Sequence, residues 1–311
     1  MRMLSCWRRI YFLNLLDLDL QEQITNRKEL DFNVAKVLEA LLGNGSTTLW
    51  HDLEDWRLET IDDKKIPFYK GKNYILKDGD IWHDLVRNYH DLETAGHPGE
   101  LKTYNSVKEH YWWPGLRSFV KNYIQGCSQC QQFKINRNSS HPTFLPTQGA
   151  VSTRPFTHCS MDLITDLLSA DRFDSILVMV DQGLLKGVIL ISCNKTLTAE
   201  DTGWLLQDSL YKRFGLSEKI ISDREPQFTS QGFKELLWLL GVKSALSTAY
   251  HPQTEGTTKW INQEIELYLV IYHSSHPETW TKSLTTLEFT HNNQWQQTNQ
   301  KPHLNLCLMT L

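Results

Sequence analysis

The sequence predicts an α/β protein with a mixed sheet, preceded by a smaller, mostly helical block. Three observations carry this. Two neighbouring apolar runs have strand length, Ser175-Ile-Leu-Val-Met-Val180 and Gly187-Val-Ile-Leu-Ile-Ser192, and helices then alternate with a further strand. Residues 83–135 read instead as helix and contain a C-x-x-C. Between the two lie Asn136-Arg-Asn-Ser-Ser-His-Pro-Thr143 and Leu145-Pro-Thr-Gln-Gly149, of linker composition, so a boundary falls near 141–155.

In chain order, residues 17–43 read as a Leu-rich helix stopped at Gly43-Asn-Gly45. Residues 66–82 suggest a short hairpin turning at Gly71-Lys-Asn73. After the linker come the two apolar strands. Thr198-Ala-Glu-Asp201 has the form of a capping box, opening a helix that runs to about Phe214 and stops at Gly215. Lys219-Ile-Ile-Ser222 is a short strand ending in Asp223, Phe233 to Leu240 a helix stopped at Gly241, and long helices follow at about 255–273 and 277–292.

With 311 residues, two or three domains are expected. Hydrophobic residues at 40% and charged residues at 22% exclude a disordered or fibrous chain. The net charge of −4 argues against a protein that coats nucleic acid over its whole surface. The balance is uneven, however: residues 1–80 carry 12 basic and 14 acidic groups, 81–141 carry 7 and 5, and 142–311 carry 13 and 17. Only the middle block is basic. No apolar run approaches the roughly 20 residues of a membrane span, so no membrane partner is expected. The start has the charge-then-apolar order of a signal peptide, but the apolar part is short and no small-residue cleavage site follows.

Six cysteines are sparse for a disulfide scaffold, and Cys127-Ser-Gln-Cys130 is the one close pair. It follows a segment that looks like a helix ending at Gly126, unlike a redox motif that opens a helix after a strand, which favours metal. His90 and His97 precede it, with 29 residues between His97 and Cys127. Two imidazoles and two thiolates suit a closed, structural, tetrahedral zinc site. The alternative is two surface histidines beside an incidental C-x-x-C. A second set is acidic. Asp162 lies inside an apolar strand, where an acid is costly without a metal or donor, and Asp223 ends the strand at 219–222. Strand-end acids can converge on a metal; a cap or turn aspartate is the competing reading.

The string His90-Asp…Ala95-Gly-His-Pro-Gly99…His110-Tyr-Trp-Trp-Pro-Gly115…Cys127-x-x-Cys130 resembles the zinc-binding N-terminal region of Ty3/Gypsy-type retrotransposon integrases. Ser160-Met-Asp162, Asp174-Ser-Ile-Leu-Val-Met-Val-Asp181, Ile221-Ser-Asp223-Arg-Glu-Pro-Gln-Phe-Thr-Ser230 and Thr248-Ala-Tyr-His-Pro-Gln-Thr-Glu-Gly256 look like their RNase H-like catalytic core. The resemblance spans about 60–295 and implies a mixed five-stranded sheet with flanking helices. It divides the chain into a polyprotein connecting segment (1–80), the H-H-C-C module (81–141), a linker (142–154), the core (155–295) and a truncated tail (296–311).

It also implies an activity: DNA integration by phosphoryl transfer, with Mg²⁺ or Mn²⁺ on three carboxylates, one ion activating a water or DNA 3′-hydroxyl and the other stabilising the leaving oxygen. Asp162 and Asp223 fall on the first two positions. The third, expected to be Glu after 35 intervening residues, is Lys259. This changes the local charge by about two units, so the copy is expected to be catalytically impaired, a pseudoenzyme. Glu255, one turn before Lys259, is too far away to coordinate without backbone movement, and Glu264 is on another helix face. His251, Gln253 and Asn262 are candidate nucleic-acid contacts by resemblance. The stacking residues Tyr111, Trp112 and Trp113 read either as a nucleic-acid platform or as core.

Expected partners are DNA, possibly RNA, and further copies of the chain on DNA, in the nucleus. Gly183-Leu-Leu-Lys-Gly187 departs from the family's usual run, and the family's C-terminal module is missing after residue 303. A decayed or domesticated fragment, or a gene-model artefact, fits these departures. The functional classes are an integrase-type polynucleotidyl transferase, a non-catalytic nucleic-acid- or protein-binding descendant, and an RNase H-like nuclease.

Overall fold

A computed structural model describes residues 53–61, 64–77, 79–133, 154–246, 252–296 and 301–302. The helix expected over 17–43 and most of the linker lie outside them. The chain divides into two units, Met1–Gln131 and Gln132–Leu311.

In the first unit, β1 (Trp56–Ile61) pairs antiparallel with β2 (Lys64–Tyr69), which turns back into β3 (Lys72–Tyr74). The turn is Lys70-Gly71, with φ of 51° and 76°. Two left-handed residues are what a two-residue hairpin needs to match strand twist. The helices follow: α1 (Gly79–His90), α2 (Glu100–His110), α3 (Leu116–Gly126) and α4 (Ser128–Phe133). Between α2 and α3 the two residues of β4 (Tyr111–Trp112) lie parallel to β3, in the register Asn73↔Tyr111 and Tyr74↔Trp112. The hairpin placed by sequence in the connecting segment therefore shares a four-stranded sheet with the helical module.

Successive aromatics at 111–113 have different surroundings. Trp112 packs on Tyr69 and Tyr74, with centroids 4.3 and 5.5 Å apart. Trp113, 1% exposed, stacks on Trp82 at 5.3 Å and joins Ile81, Leu85, Val107, Leu116 and Val120 between the helices. Tyr111 and Trp113 are core and Trp112 is half-buried on the tyrosines, which favours the second of the two sequence readings.

In the second unit, β5 (His158–Ile164), β6 (Ser175–Asp181), β7 (Val188–Cys193), β8 (Lys219–Ser222) and β9 (Lys243–Leu246) form one sheet in the order β7-β6-β5-β8-β9. β7, β6 and β5 are antiparallel; β5, β8 and β9 are parallel. This is the RNase H-like arrangement. On one face lie α5 (Ala199–Leu206), which continues through a π-helical turn at Gln207–Tyr211 and a last turn at Lys212–Phe214, then α6 (Pro226–Thr229) and α7 (Gln231–Leu239). On the other lie α8 (Pro252–His273) and α9 (Trp280–Asn293). Both faces of β6 are covered, which explains its unbroken apolar run.

The expected capping box opens α5: Asp201 N donates to Thr198 Oγ1 and Thr198 N to Asp201 Oδ2, both at 3.1 Å. α5 approaches α7 so closely that a Cβ on Gly203 would stand 2.7 Å from Leu236. Among the described residues, no helix is long and apolar enough to cross a membrane.

Strand alternation assigns the faces of β5. Cys159, Met161 and Leu163 point into the α5/α7 core, whereas Ile164 belongs to the α8/α9 core, and Ser160 and Asp162 share its face.

Candidate metal centre and carboxylate site

The H-H-C-C residues come together at the ends of helices. His90 is the last residue of α1. Gly96 and His97 both have positive φ, 73° and 47°, and His97 N donates to His90 O at 2.9 Å, folding the loop back onto the helix end. Cys127 caps α3, and Cys130 lies one turn into α4. Cys130 Sγ is 3.3 Å from His90 Nε2 and 3.8 Å from His97 Nδ1; Cys127 Sγ is 3.5 Å from His97 Nδ1. All four donor atoms lie within 4.8 Å of one another. A tetrahedral zinc shell with ordinary Zn–N and Zn–S bonds has edges of about 3.3–3.8 Å. The three sulfur–nitrogen distances fall in this range, and the four side chains are gathered as a zinc shell needs. Two neutral imidazoles and two thiolates balance its charge and leave no open position, so the ion they would hold is structural.

The second site stands at the carboxyl ends of the parallel strands β5 and β8, whose register Met161↔Ser222 brings Asp162 beside Asp223. Asp162 accepts from Leu163 N at 3.1 Å and from Asn262 Nδ2 at 2.8 Å. Burial and the neighbouring Asp223 raise its pKa, while these two donors and the charge of Lys259 lower it. Lys259 thus acts on Asp162 from α8. One turn of α8 supplies the whole contact: Thr258 Oγ1 is 2.8 Å from Ser160 Oγ, which also accepts from Gln182 Nε2 at 2.7 Å, and Asn262 sits four residues further on.

Sequence reasoning placed Asn262 at a nucleic-acid surface; its amide holds a carboxylate here. His251 and the side chain of Gln253 lie outside what is described. Glu264, considered as a substitute acid, faces His291 of α9 at 3.3 Å.

Three residues were missed. Ser160 was detectable, two positions before Asp162 on the same strand face. Thr258 was detectable only once α8 had been placed. Glu225 N donates to Asp223 Oδ1 at 3.1 Å, and the Glu225 carboxyl is pushed up to about 7 by burial, then by Asp223 and Asp162, against an opposing pull from Lys195. Its nearness to Asp162 comes from strand pairing and has no local signal. Among the described residues, the H-H-C-C set is the one group of three or more such donors gathered as a metal site.

A small two-histidine, two-cysteine module followed by an RNase H-like sheet with paired acids defines an integrase-like class of protein. Residues 78–136 match the integrase zinc binding domain family. The Tf2-3 transposon polyprotein of Schizosaccharomyces pombe is 33% identical over 245 residues, 77% of this chain and 18% of the polyprotein, and the Tf2-4 polyprotein matches equally. The chain thus spans under a fifth of the length of these curated relatives. Solved structures of similar outline include the simian T-cell lymphotropic virus intasome in complex with the PP2A regulatory subunit B56 gamma (TM-score 0.45, 16% identity, 65% of this chain and 67% of that one). The catalytic core domain of BIV integrase is another (TM-score 0.41, 19% identity, 50% and 95%). The chain is integrase-like, and the family it resembles is the Ty3/Gypsy type of retrotransposon integrase.

Proposed function

We propose that this chain is an integrase-like, nucleic-acid-binding protein impaired in strand transfer. What supports the reading is the residue itself: Lys259 stands on α8 where the family pattern has the third carboxylate, and its charge pulls against the raised pKa of Asp162. In working relatives of this class, two divalent ions activate the attacking oxygen and stabilise the leaving one. Asp162 and Asp223 are the residues that would hold them. With Lys259 present, these three side chains carry a net charge of about −1, against −3 for three carboxylates. That set does not fit two divalent ions about 3.5–4 Å apart. Glu225 adds an acid, but one whose raised pKa near 7 reflects the cost of a further charge there.

The α8 contacts remain when the ions are removed from the account. Asn262 and Thr258 tie the helix to β5, and Lys259 offsets the repulsion between Asp162 and Asp223. Thr258 and Asn262, which tie α8 to β5, stand on either side of Lys259 in the same turn of the helix. Substrate DNA (element ends and target), with RNA as a further ligand, follows from the relatives and from the basic excess of residues 81–141. Assembly of several copies on DNA and a nuclear location belong to the same reading.

The test is Mg²⁺-dependent 3′-processing and joining of element-end DNA by this chain and by Lys259→Glu. Activity is expected only in the variant. Joining by the unaltered chain at the variant's rate contradicts the proposal.

A further inference from the structure

Asp91 brings a carboxylate to the zinc corner without being among the four donors. Its Oδ1 lies 3.9 Å from His90 Nε2 and 4.0 Å from His97 Nδ1. These are the same two nitrogens that face the cysteine sulfurs at 3.3 and 3.5 Å. A carboxylate that only oriented the ligand histidines would bind the opposite ring nitrogens, as outer partners of metal-bound imidazoles do. Asp91 addresses both rings from the metal side. Tyr123 holds it there: its hydroxyl donates to Asp91 Oδ2 at 2.5 Å, leaving Oδ1 turned to the centre, while its ring stands edge-on to His90 at 5.9 Å. The two thiolates are unequal. Cys130 is 4% exposed, whereas Cys127 is only half-buried and is the open side of the shell.

We infer that Asp91 is a fifth donor to the metal, a carboxylate oxygen that enters the shell when the bond to Cys127 opens. The inference rests on the zinc reading of the H-H-C-C set. Zinc takes carboxylate oxygen at about 2.0–2.2 Å and tolerates a fifth ligand in passing. A set of two imidazoles, one thiolate and one carboxylate keeps the charge balance of the original four. The site therefore holds its ion through the loss of its most accessible ligand.

The full chain is loaded with Co²⁺ as a spectroscopic probe, and Zn²⁺ affinity is measured by competition with a chromophoric chelator. Cys127→Ala is expected to bind about ten-fold more tightly than Cys127→Ala/Asp91→Asn, and Asp91→Glu in the Cys127→Ala background to recover part of the difference. Equal affinity of the single and double variants overturns the proposal. Failure of the unaltered chain to bind zinc sinks the underlying zinc reading instead. Should Cys127→Ala not fold, the folded zinc-loaded chain is alkylated at Cys127 with iodoacetamide and zinc release is followed with a dye. Release from Asp91→Asn is expected to be several-fold faster than from the unaltered chain; equal rates overturn the proposal.

Discussion

The zinc corner and the carboxylate corner are both places where ligands meet at the ends of regular elements, yet they are built on different principles. The first draws its donors from two short local pairs, each set by a helix end and a turn, and its charges balance around a divalent ion. The second draws on three distant segments, 162, 223 and 259, joined by strand pairing and helix docking, and its lysine offsets only part of the acidic charge. The difference teaches that two clusters of metal-type ligands in one chain can differ in whether a cationic side chain stands among them.

The largest effect should come from removing zinc. Zinc affinities of small modules amount to about 10–16 kcal/mol, more than the 81–133 block can gain from its own core. Chelation, or Cys130→Ser, is expected to melt α1–α4 while the β5–β9 unit stays folded, read by circular dichroism together with near-UV signals. Coincident loss of both units would break the comparison.

Next, Lys259→Glu should turn the second corner into one that needs an ion. Placing a third acid beside Asp162 and Asp223 is expected to lower stability by about 1–3 kcal/mol in chelator, with Mg²⁺ restoring it. A melting temperature insensitive to Mg²⁺ would show that the corner cannot be converted by charge alone.

Asn262→Ala removes the amide that holds Asp162. A hydrogen bond to a charged group contributes about 1.5–3 kcal/mol, reduced here by partial exposure, so a loss near 1 kcal/mol is expected in urea unfolding, without change at the zinc corner.

The smallest effect concerns Glu225. Its carboxyl pKa is raised in the folded state from 4.5 to about 7, so the folded state binds more protons than the unfolded one in that interval. Its contribution is fully present below about 4.5 and is lost as pH rises through about 7. Glu225→Gln is expected to flatten the fall in stability over this window, measured as the urea midpoint against pH.

Much of this was legible in the sequence, and the reasons are physical. The zinc set could be read because its donors are close in sequence and their chemistry is rare in combination. Strands β6 and β7 were visible as apolar runs, and Thr198 and Asp201 announced the start of α5. β9 was not seen: Lys243-Ser-Ala-Leu246 is short, edge-placed and half polar, so its strand character comes from pairing with β8. β1 was missed although Trp56-Arg-Leu-Glu59 alternates apolar and charged residues, because the run is short and the continuous apolar runs were read first. The hydrogen bond from Asn262 to Asp162 had no sequence signal, because a polar residue on a long helix reveals nothing of what faces it until α8 is docked on β5. Lys259 is the opposite case. Its position was found by spacing against the family pattern, and its charge acts to lower the pKa of Asp162.

The parallel pairing of β3 with β4 has a practical consequence for how this protein can be cut. The stretch that matches the zinc-binding family begins at residue 78, after β1, β2 and β3 have already been made. A fragment starting there would leave the two residues of β4 without their partner strand and strip the Tyr69 and Tyr74 rings from Trp112. An expression fragment that keeps the metal site soluble should therefore begin upstream of Trp56.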